Sequence, residues 1–477
     1  MSDRIIENST RMTLLQVCSF VANTLLYIAL ARILGPADYG IASITVFPAL
    51  TLLRTGVFGA LMFGTAKVIA ANPDALGSCI ATSRKAYWIV GAACVVVFLA
   101  GADLLSFFLK DITLTPFFRF MSLAVPPVAA FVLFHATLIG LKDFRKLLKF
   151  GATFQVLKLT LTVILVLIGT RVYGLVLGFS MACIVALMIF RRGSRPEPGE
   201  GEIKLSYYFH TVGAIFLAFL VSFLQRYAGL INLKRIIFDN EQVAFYSVAY
   251  QLASMPALIF TGVAVALWPA ISGLAKDPDL ELARGYINKS LKYTMLGLFP
   301  IAAILAALPD YAVRIAFSAK YAQGAVVLPY IVIALVLLTL QSVVMSALLA
   351  MGKVKTIIFV TGGASVVIFL LGNILIPDYG IKGAAISEVI GFFLSLAIVT
   401  VVSSRIFGRL YSIAEFIKIA ASTIVLFLVI RSFTFLGQWA VLTVIPAAIL
   451  FFLALVLLGV LSLDEIQKGL LRRKREA

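Results

Sequence analysis

Long apolar segments constrain the fold of this chain more than any other feature of its sequence. A helix that crosses a membrane needs about 20 mostly apolar residues, and fourteen stretches meet that condition. The backbone must satisfy its own hydrogen bonds in lipid, so these stretches are predicted to be α-helices. The predicted segments are 11–34, 40–63, 86–109, 117–140, 151–169, 172–190, 207–233, 242–273, 290–308, 326–351, 356–376, 381–404, 413–433 and 437–461.

The overall composition excludes a soluble protein. Hydrophobic residues make up 62% of the 477 residues, only 13% are charged, and the mean hydropathy is +1.06. Soluble domains carry about 25% charged residues. The predicted fold class is therefore an all-α polytopic membrane protein with about fourteen transmembrane helices.

The charges that remain are mostly basic, and their positions predict the orientation. There are 40 Lys and Arg against 22 Asp and Glu. Of the basic residues, 27 fall on the side of both termini and the even-numbered loops. Ten fall in the odd-numbered loops and adjacent helix ends, and 3 lie inside the membrane. The positive-inside rule then places both termini in the cytoplasm. Because the charges are spread over many short loops, no nucleic-acid partner is expected, whereas the basic C-terminal tail can contact membrane lipids.

A polar stretch divides the chain. Residues 191–206, RRGSRPEPGEGEIKLS, hold two prolines, three glycines and charges of both signs, so no spanning helix can pass through them. We predict an N-lobe of six helices at 1–190, a cytoplasmic linker at 191–206 and a C-lobe of six helices at 207–404. Helices 13 and 14 and a basic cytoplasmic tail occupy 405–477.

Three turns resemble one another and suggest an internal repeat. They are ARILGPADYGIASI at 31–44, LKRIIFDNEQVAFYSVA at 233–249 and LIPDYGIKGAA at 375–385. Repeats of this kind are common in transporters, where the substrate site lies between the repeats. The alternative is that membrane turns simply reuse Gly, Pro, Asp and Tyr.

We single out four ionisable residues that lie away from the segment ends, where a charge is costly and usually functional. Arg54 lies past the middle of the second segment, Lys158 in the middle of the fifth and Arg226 in the outer half of the seventh. Glu388, in the twelfth, is a candidate for coupling to a cation or proton. Three bases against one acid would make a cavity that attracts an anion, and Arg and Lys are good donors to phosphate.

Structural explanations for the same residues stay open. Arg54 could pair with an acid of another helix, such as Glu388, and Lys158 and Arg226 could extend to a membrane interface. Gln155 lies three residues before Lys158 and therefore shares a helix face with it. The predicted substrate-binding residues are Arg54, Lys158, Arg226, Gln155, Gln225 and Asn23.

Interior prolines mark candidate hinges. A proline removes one backbone hydrogen bond and kinks a helix. Pro48 in the second segment and Pro256 in the eighth occupy corresponding places in the two predicted lobes, so we predict them to be hinges for alternating access. Simple curvature is the alternative.

Catalytic and cofactor motifs are absent from the sequence. There is no GxxxxGK[ST] phosphate-binding loop, no HExxH and no GxSxG. The four cysteines are scattered and the chain has two histidines. We expect no enzyme, no metal and no cofactor.

Several stretches resemble the polysaccharide transporter family, bacterial oligosaccharide-lipid flippases of the multidrug/oligosaccharidyl-lipid/polysaccharide (MOP) superfamily. They run in order along most of the chain: ARILGPADYGIASI, then FYSVAYQLASMPALIFTGVAVALWPAISGL at 245–274, SAKYAQGAVVLPYIVIALVLLTLQSVVMSALLAMGKVKT at 318–356 and ILIPDYGIKGAAISEVI. The resemblance implies two lobes around a V-shaped central cavity, often lined by Arg and Lys.

The implied function is that of a flippase in the bacterial inner membrane. It would move undecaprenyl-pyrophosphate-linked oligosaccharide to the outer leaflet by alternating access, for surface polysaccharide synthesis. A monomer is expected, with a polysaccharide polymerase and co-polymerase as partners. The alternatives are a lipid II flippase for peptidoglycan and a drug/cation antiporter of the same superfamily, which would have acids dominating its cavity.

Overall fold

In the computed structural model, residues 2–72, 75–191, 205–272 and 280–460 are described. Their regular structure is helical throughout, with no strand in these ranges. Each of the fourteen apolar segments coincides with a helix, which confirms the all-α fold class. Twelve of these helices are long and apolar enough to cross a membrane.

The helices are numbered α1 to α14 in chain order. They are α1 Ser2–Leu34, α2 Pro36–Ala71, α3 Leu76–Ala100, α4 Ile112–Gly140, α5 Phe144–Thr170, α6 Tyr173–Arg191, α7 Leu205–Ile237, α8 Asn240–Ser272, α9 Leu280–Ala307, α10 Leu328–Ala350, α11 Val354–Tyr379, α12 Ile381–Phe407, α13 Ile413–Ser432 and α14 Val444–Leu457.

The three similar turns all use a left-handed backbone residue. Gly35, with φ of 78°, ends α1, and Pro36 then occupies the first position of α2. This Gly-then-Pro order suits a helix end followed by a helix start. Gly380, with φ of 57°, separates α11 from α12. Between α7 and α8 the left-handed residue is Phe238, with φ of 61°, although an L side chain is strained there.

Helix α2 is not a regular α-helix. It is interrupted at Thr45, three residues before Pro48, and its residues Leu52–Val57 form a π-helical turn. Pro48 has no N–H to bond the carbonyl of the residue four positions earlier, and its ring crowds that carbonyl. The interruption at Thr45 therefore lies in the turn before Pro48, where the missing hydrogen bond and the crowded carbonyl are expected. The roles of Pro48 and of Pro256, a buried residue of α8, as hinges stay predictions.

Contacts group the chain into two compact units. The first comprises Met1–Val248 with Thr361–Ser387, and the second comprises Ala249–Val360 with Glu388–Ala477. The predicted linker at 191–206 lies mostly outside the described residues, as does the basic C-terminal tail. The division into two six-helix lobes stays a prediction.

Small residues let the helices of the first unit approach closely. A Cβ on Gly151 of α5 would lie 2.5 Å from the Leu15 side chain of α1. A Cβ on Gly178 of α6 would lie 2.5 Å from the Cα of Thr162 on α5. Without a hydrophobic driving force between helices in lipid, such close backbone packing is a main source of association. It fixes α1, α5 and α6 around one cavity.

Helix α7 packs on α2 in the same unit. The hydroxyls of Tyr208 and Thr65 lie 2.7 Å apart, and a Cβ on Gly64 would lie 2.4 Å from the Val212 side chain. In the second unit, buried side chains of α9, α10, α13 and α14 form one hydrophobic cluster that includes Met295, Leu340 and Phe451.

Candidate functional site: a cationic cavity in the first unit

A cavity of about 170 Å³ lies among α1, α2, α5 and α6. Pockets that enclose drug-sized ligands are about 300–1,000 Å³, so this cavity suits a small polar group. It contains the predicted Arg54, Lys158 and Asn23. Its lining residues are Asn23, Leu26, Tyr27, Leu30, Phe47, Leu50, Thr51, Arg54, Thr55, Lys158, Thr162, Leu175 and Phe179.

Arg54 reaches the cavity from the π-helical turn of α2. A π-turn inserts one extra residue into a helix and is frequent at functional sites. The guanidinium carbon lies 5.5 Å from the centroid of the Phe154 ring of α5. Among the described residues of the first unit, no carboxylate lies within ion-pair distance of Arg54. Within this unit, no observed contact supports the alternative that Arg54 forms a buried ion pair.

Lys158 is buried, with 2% of its surface exposed. Its Nζ donates to Asn23 Oδ1 at 2.5 Å and to Gln155 Oε1 at 2.7 Å. An ammonium has three donors, so one N–H has no hydrogen-bond acceptor among the described residues. The Nζ also lies 5.7 Å from the Phe154 ring centroid, so Arg54 and Lys158 approach the same ring.

The oxygen atoms that hold Lys158 are neutral amides. Burying an ammonium costs several kcal/mol unless an opposite charge compensates. Asn23 and Gln155 supply partial charges and fix the side chain, but they leave the net charge in place. The two amide oxygens hold the Lys158 amino group in a fixed position at the cavity.

Tyr27, Thr51, Thr55 and Thr162 complete the polar part of the lining. Thr51 and Thr55 flank Arg54 on α2, and each hydroxyl donates to the carbonyl four residues earlier. The Tyr227 hydroxyl of α7 donates to Thr51 Oγ1 at 3.2 Å. Thr51 and Thr55 were not predicted from the sequence, although their spacing of four residues places them on the same side of α2.

The chemistry of this lining favours a small anion. Two basic side chains, an amide and four hydroxyl-bearing side chains line the space, and no Asp or Glu is among the lining residues. Arg and Lys donors match phosphate oxygens. Within the described chain no three His, Cys, Asp or Glu side chains gather as metal ligands.

The other predicted site residues lie elsewhere. On α7, Arg226 is partly exposed and Gln225 is buried. Neither residue lines this cavity. Glu388 is fully buried on α12, in the second unit. Binding of substrate by Arg226 and Gln225 and ion coupling by Glu388 stay predictions.

A comparison with family models matches residues 29–326, more than half of the chain, to the family described as "Polysaccharide biosynthesis protein". The chain belongs to this family. Among curated proteins it is 26% identical over 157 residues to an uncharacterized membrane protein of Methanocaldococcus jannaschii. That match covers 32% of this chain and only 31% of the relative's length.

Solved structures share the fold over almost the whole chain. The lipid II flippase MurJ in an inward closed conformation matches with a TM-score of 0.74 and 14% identity, covering 95% of this chain and 98% of that one. An inward-facing multidrug resistance MATE transporter of the MOP superfamily matches with a TM-score of 0.71 and 14% identity. This match covers 82% of this chain and 94% of that one.

A third structure is a MOP-superfamily transporter from Pyrococcus furiosus, described as having a binding pocket of reverse polarity. It matches with a TM-score of 0.63 and 16% identity, covering 84% of this chain and 95% of that one. At these identities the matches establish the fold, which is that of MOP-superfamily transporters. Together with the apolar helices, they identify a multi-pass membrane protein.

Proposed function

We propose that this protein is a flippase for polyprenyl-diphosphate-linked oligosaccharide in surface polysaccharide synthesis. The observation that carries the proposal is that Arg54 and Lys158 line the same cavity and that no Asp or Glu lines it. Membership of the polysaccharide biosynthesis family and the transporter fold support it.

The proposed mechanism assigns the cavity to the diphosphate. Moving phosphates away from water is unfavourable unless charged donors replace the lost hydration. Arg54 and the free N–H of Lys158 would provide those donors, while Asn23 and Gln155 position the ammonium. The cavity is too small for an oligosaccharide, so the sugars would occupy the central cavity implied by the family resemblance. The polyprenyl tail would remain in lipid.

Alternating access would then expose the head group on the outer side of the bacterial inner membrane, with both termini in the cytoplasm. A polysaccharide polymerase and co-polymerase would receive the product. The MATE-type alternative of drug/cation antiport requires acids to attract the cation, whereas the observed lining has none.

A lipid II flippase remains a second candidate because the MurJ fold covers 95% of this chain, against 82% for the inward-facing MATE transporter. Its cargo also carries a diphosphate, so the cavity alone does not separate the two functions. Expression in cells depleted of their own lipid II flippase would separate them. Growth of these cells would indicate that this protein moves lipid II. Continued lysis would indicate that its cargo is another lipid-linked glycan.

The proposal is tested with Arg54→Ala and Lys158→Ala in cells that export surface polysaccharide. We expect each variant to accumulate in the membrane as the wild type does but to lose most surface polysaccharide. Lys355→Ala removes an exposed base at the start of α11 and serves as the matched control. Normal export by both cavity variants would contradict the proposal.

A further inference from the structure

The guanidinium of Arg235, near the end of α7, does not line the cationic cavity and is held by two asparagines. Its Nη2 donates to Asn232 Oδ1 at 3.1 Å and to Asn373 Oδ1 of α11. The side-chain nitrogens of both asparagines donate to the Phe369 carbonyl, each at 2.9 Å, so their oxygens are fixed toward the arginine. All four residues belong to the first compact unit. Neutral amides therefore set the position of Arg235.

The positive charge of Arg235 has no counter-ion among the described residues. Arg235 takes part in none of the ion pairs that join them. The adjacent Lys234 has an acid of its own, since its Nζ donates to Asp111 Oδ2 at 2.6 Å. Arginine stays charged in proteins, and a charge in or near lipid is costly unless it is paired. The charge of Arg235 is therefore available to an anion from outside the chain.

Three of the five guanidinium N–H groups of Arg235 have no acceptor among the described residues. The Nη2 atom uses both of its hydrogens on the two asparagines, which leaves one N–H on Nε and two on Nη1. Nε is enclosed by protein, whereas Nη1 is not. Nη1 can therefore donate to an incoming oxygen, and phosphate oxygens are acceptors that suit arginine.

The surroundings of Arg235 are those of a membrane-facing surface. The guanidinium carbon lies 4.6 Å from the ring centroid of Phe369 and 5.9 Å from that of Phe108, in the connection between α3 and α4. Phe108 is 45% exposed, and on α11 the side chains of Leu370 and Ile374 are 58% and 65% exposed. Exposed apolar surface of this kind marks a contact with membrane. Lipid chains can therefore lie beside the arginine.

The depth of Arg235 matches that of lipid headgroups. Arg235 lies two residues before the end of α7, and Asn373 lies six residues before the end of α11. These positions are about 3 Å and 9 Å from the helix ends, and the polar headgroup layer begins where the hydrocarbon core ends. The distribution of basic residues predicts both helix ends on the outer side. Lys110, two residues after Phe108, is exposed and adds a second base nearby.

We propose that Arg235 binds the phosphate of an anionic lipid of the outer leaflet, with the lipid chains lying against α11. The lipid supplies the counter-ion that the chain lacks and accepts from Nη1. A lipid whose headgroup carries a cation beside its phosphate binds less well, because Arg235 and Lys110 repel that cation. A phospholipid and a polyprenyl phosphate share the required chemistry. The inference does not rest on the proposed function.

The test counts the lipids that the purified protein retains. Protein in detergent is equilibrated with equal amounts of phosphatidylglycerol and phosphatidylcholine of the same chain length, and bound lipids are counted by native mass spectrometry. We expect the wild type to prefer phosphatidylglycerol. Arg235→Gln should lower the affinity for phosphatidylglycerol at least about tenfold, the effect of losing a hydrogen bond to a charged group.

Two further variants separate charge from packing. Arg235→Lys keeps the charge and should recover part of the binding, which loss of the asparagine contacts alone would not explain. Arg314→Gln is the matched control, since it removes an exposed arginine of the helix Pro309–Ala316 in the second unit. It should retain phosphatidylglycerol as the wild type does.

A second measurement leaves Arg235 in place and so does not depend on how a variant folds. The photo-reactive p-benzoylphenylalanine replaces the exposed Ile374, and proteoliposomes with equal amounts of the two lipids are illuminated. We expect the crosslinked lipid, identified by its mass, to be mainly phosphatidylglycerol. Equal crosslinking of both lipids, together with equal retention by the wild type and Arg235→Gln, would overturn the proposal.

Competition with a polyprenyl diphosphate identifies the source of the phosphate. Displacement of phosphatidylglycerol from the wild type would assign the site to polyprenyl lipids, and continued retention would assign it to phospholipid. Failure of the proposed function would look different. In that case Arg54→Ala would export normal polysaccharide, while the wild type would still prefer phosphatidylglycerol and Arg235→Gln would not.

Discussion

At the scale of single residues, the ammonium of Lys158 is held by oxygen atoms that carry no charge. Gln155 is one helical turn away, and the 2.7 Å hydrogen bond between their side chains confirms that they share a face of α5. The spacing of three residues was enough to predict this pair. The contribution of Asn23 to the same ammonium could not be predicted, because it depends on how α1 packs against α5.

Gln155→Glu places a carboxylate beside the Lys158 ammonium in place of the neutral amide. We expect the melting temperature of the purified protein to rise, since a buried charge gains an opposite partner. The affinity for inorganic pyrophosphate should fall at least about tenfold, equivalent to about 1.4 kcal/mol, because one of two attracting charges is neutralised.

Both quantities can be measured in detergent, by thermal unfolding and by titration calorimetry. Gln323→Glu makes the same chemical change at an exposed position outside the cavity and should leave both unchanged. An unaltered pyrophosphate affinity in Gln155→Glu would show that Lys158 does not bind the anion.

Asp111, in the loop between α3 and α4, accepts a hydrogen bond from the Lys234 ammonium at 2.6 Å. Burial would raise the pKa of the Asp111 carboxyl, but hydrogen bonds from Lys234 and Thr113 and the ammonium charge outweigh it and lower the pKa. This lowered pKa predicts how the stability depends on pH. A carboxyl whose pKa is lower in the folded state contributes stability above its unfolded pKa of about 3.9, and the contribution is lost as pH falls through the folded value. The melting temperature of Asp111→Asn should therefore lie below that of the wild type at pH 7. The difference should shrink as the pH falls below about 3.9. If the melting temperatures of Asp111→Asn and the wild type differ by the same amount at every pH, the effect of the substitution is due to packing rather than to charge.

At the scale of helices, the fourteen apolar segments predicted every helix that carries the site, because hydropathy alone decides what crosses a membrane. The π-helical turn of α2 was not predictable. It depends on where Arg54 and its neighbours pack, whereas Pro48 predicts only that the helix is disturbed nearby. Arg226 shows the same limit, since depth along α7 does not determine which space its side chain faces.

Close packing of α5 on α6 should be essential for the cavity. Gly178→Ala would place a Cβ 2.5 Å from the backbone of Thr162, a lining residue, so α5 and α6 must separate. Overpacking of this kind costs about 1–3 kcal/mol, and we expect a lower melting temperature together with weaker pyrophosphate binding. Gly213→Ala in α7 is the control, since nothing lies within 4 Å of its added Cβ. Equal melting temperatures for the two variants would contradict this packing.

At the scale of the whole molecule, the basic residues predict both termini in the cytoplasm. This follows from 27 basic residues on that side against 10 on the other, a bias that sets orientation during insertion. A green fluorescent protein fused after residue 477 should fluoresce, while alkaline phosphatase inserted between α7 and α8 should be active. The reverse pattern would invert the topology and place both termini outside.

The family and the fold together give a polysaccharide biosynthesis protein with the fold of MOP-superfamily transporters and a small cationic cavity. The central claim is the proposal that this cavity binds the diphosphate of a lipid-linked oligosaccharide during its movement. The most direct test uses proteoliposomes that contain a fluorescent oligosaccharide linked to polyprenyl diphosphate, with its movement between leaflets followed by quenching from outside. We predict measurable movement with the wild type and movement at the protein-free rate with the Arg54→Ala/Lys158→Ala double variant. Wild-type movement by the double variant, folded and reconstituted equally, would contradict the claim.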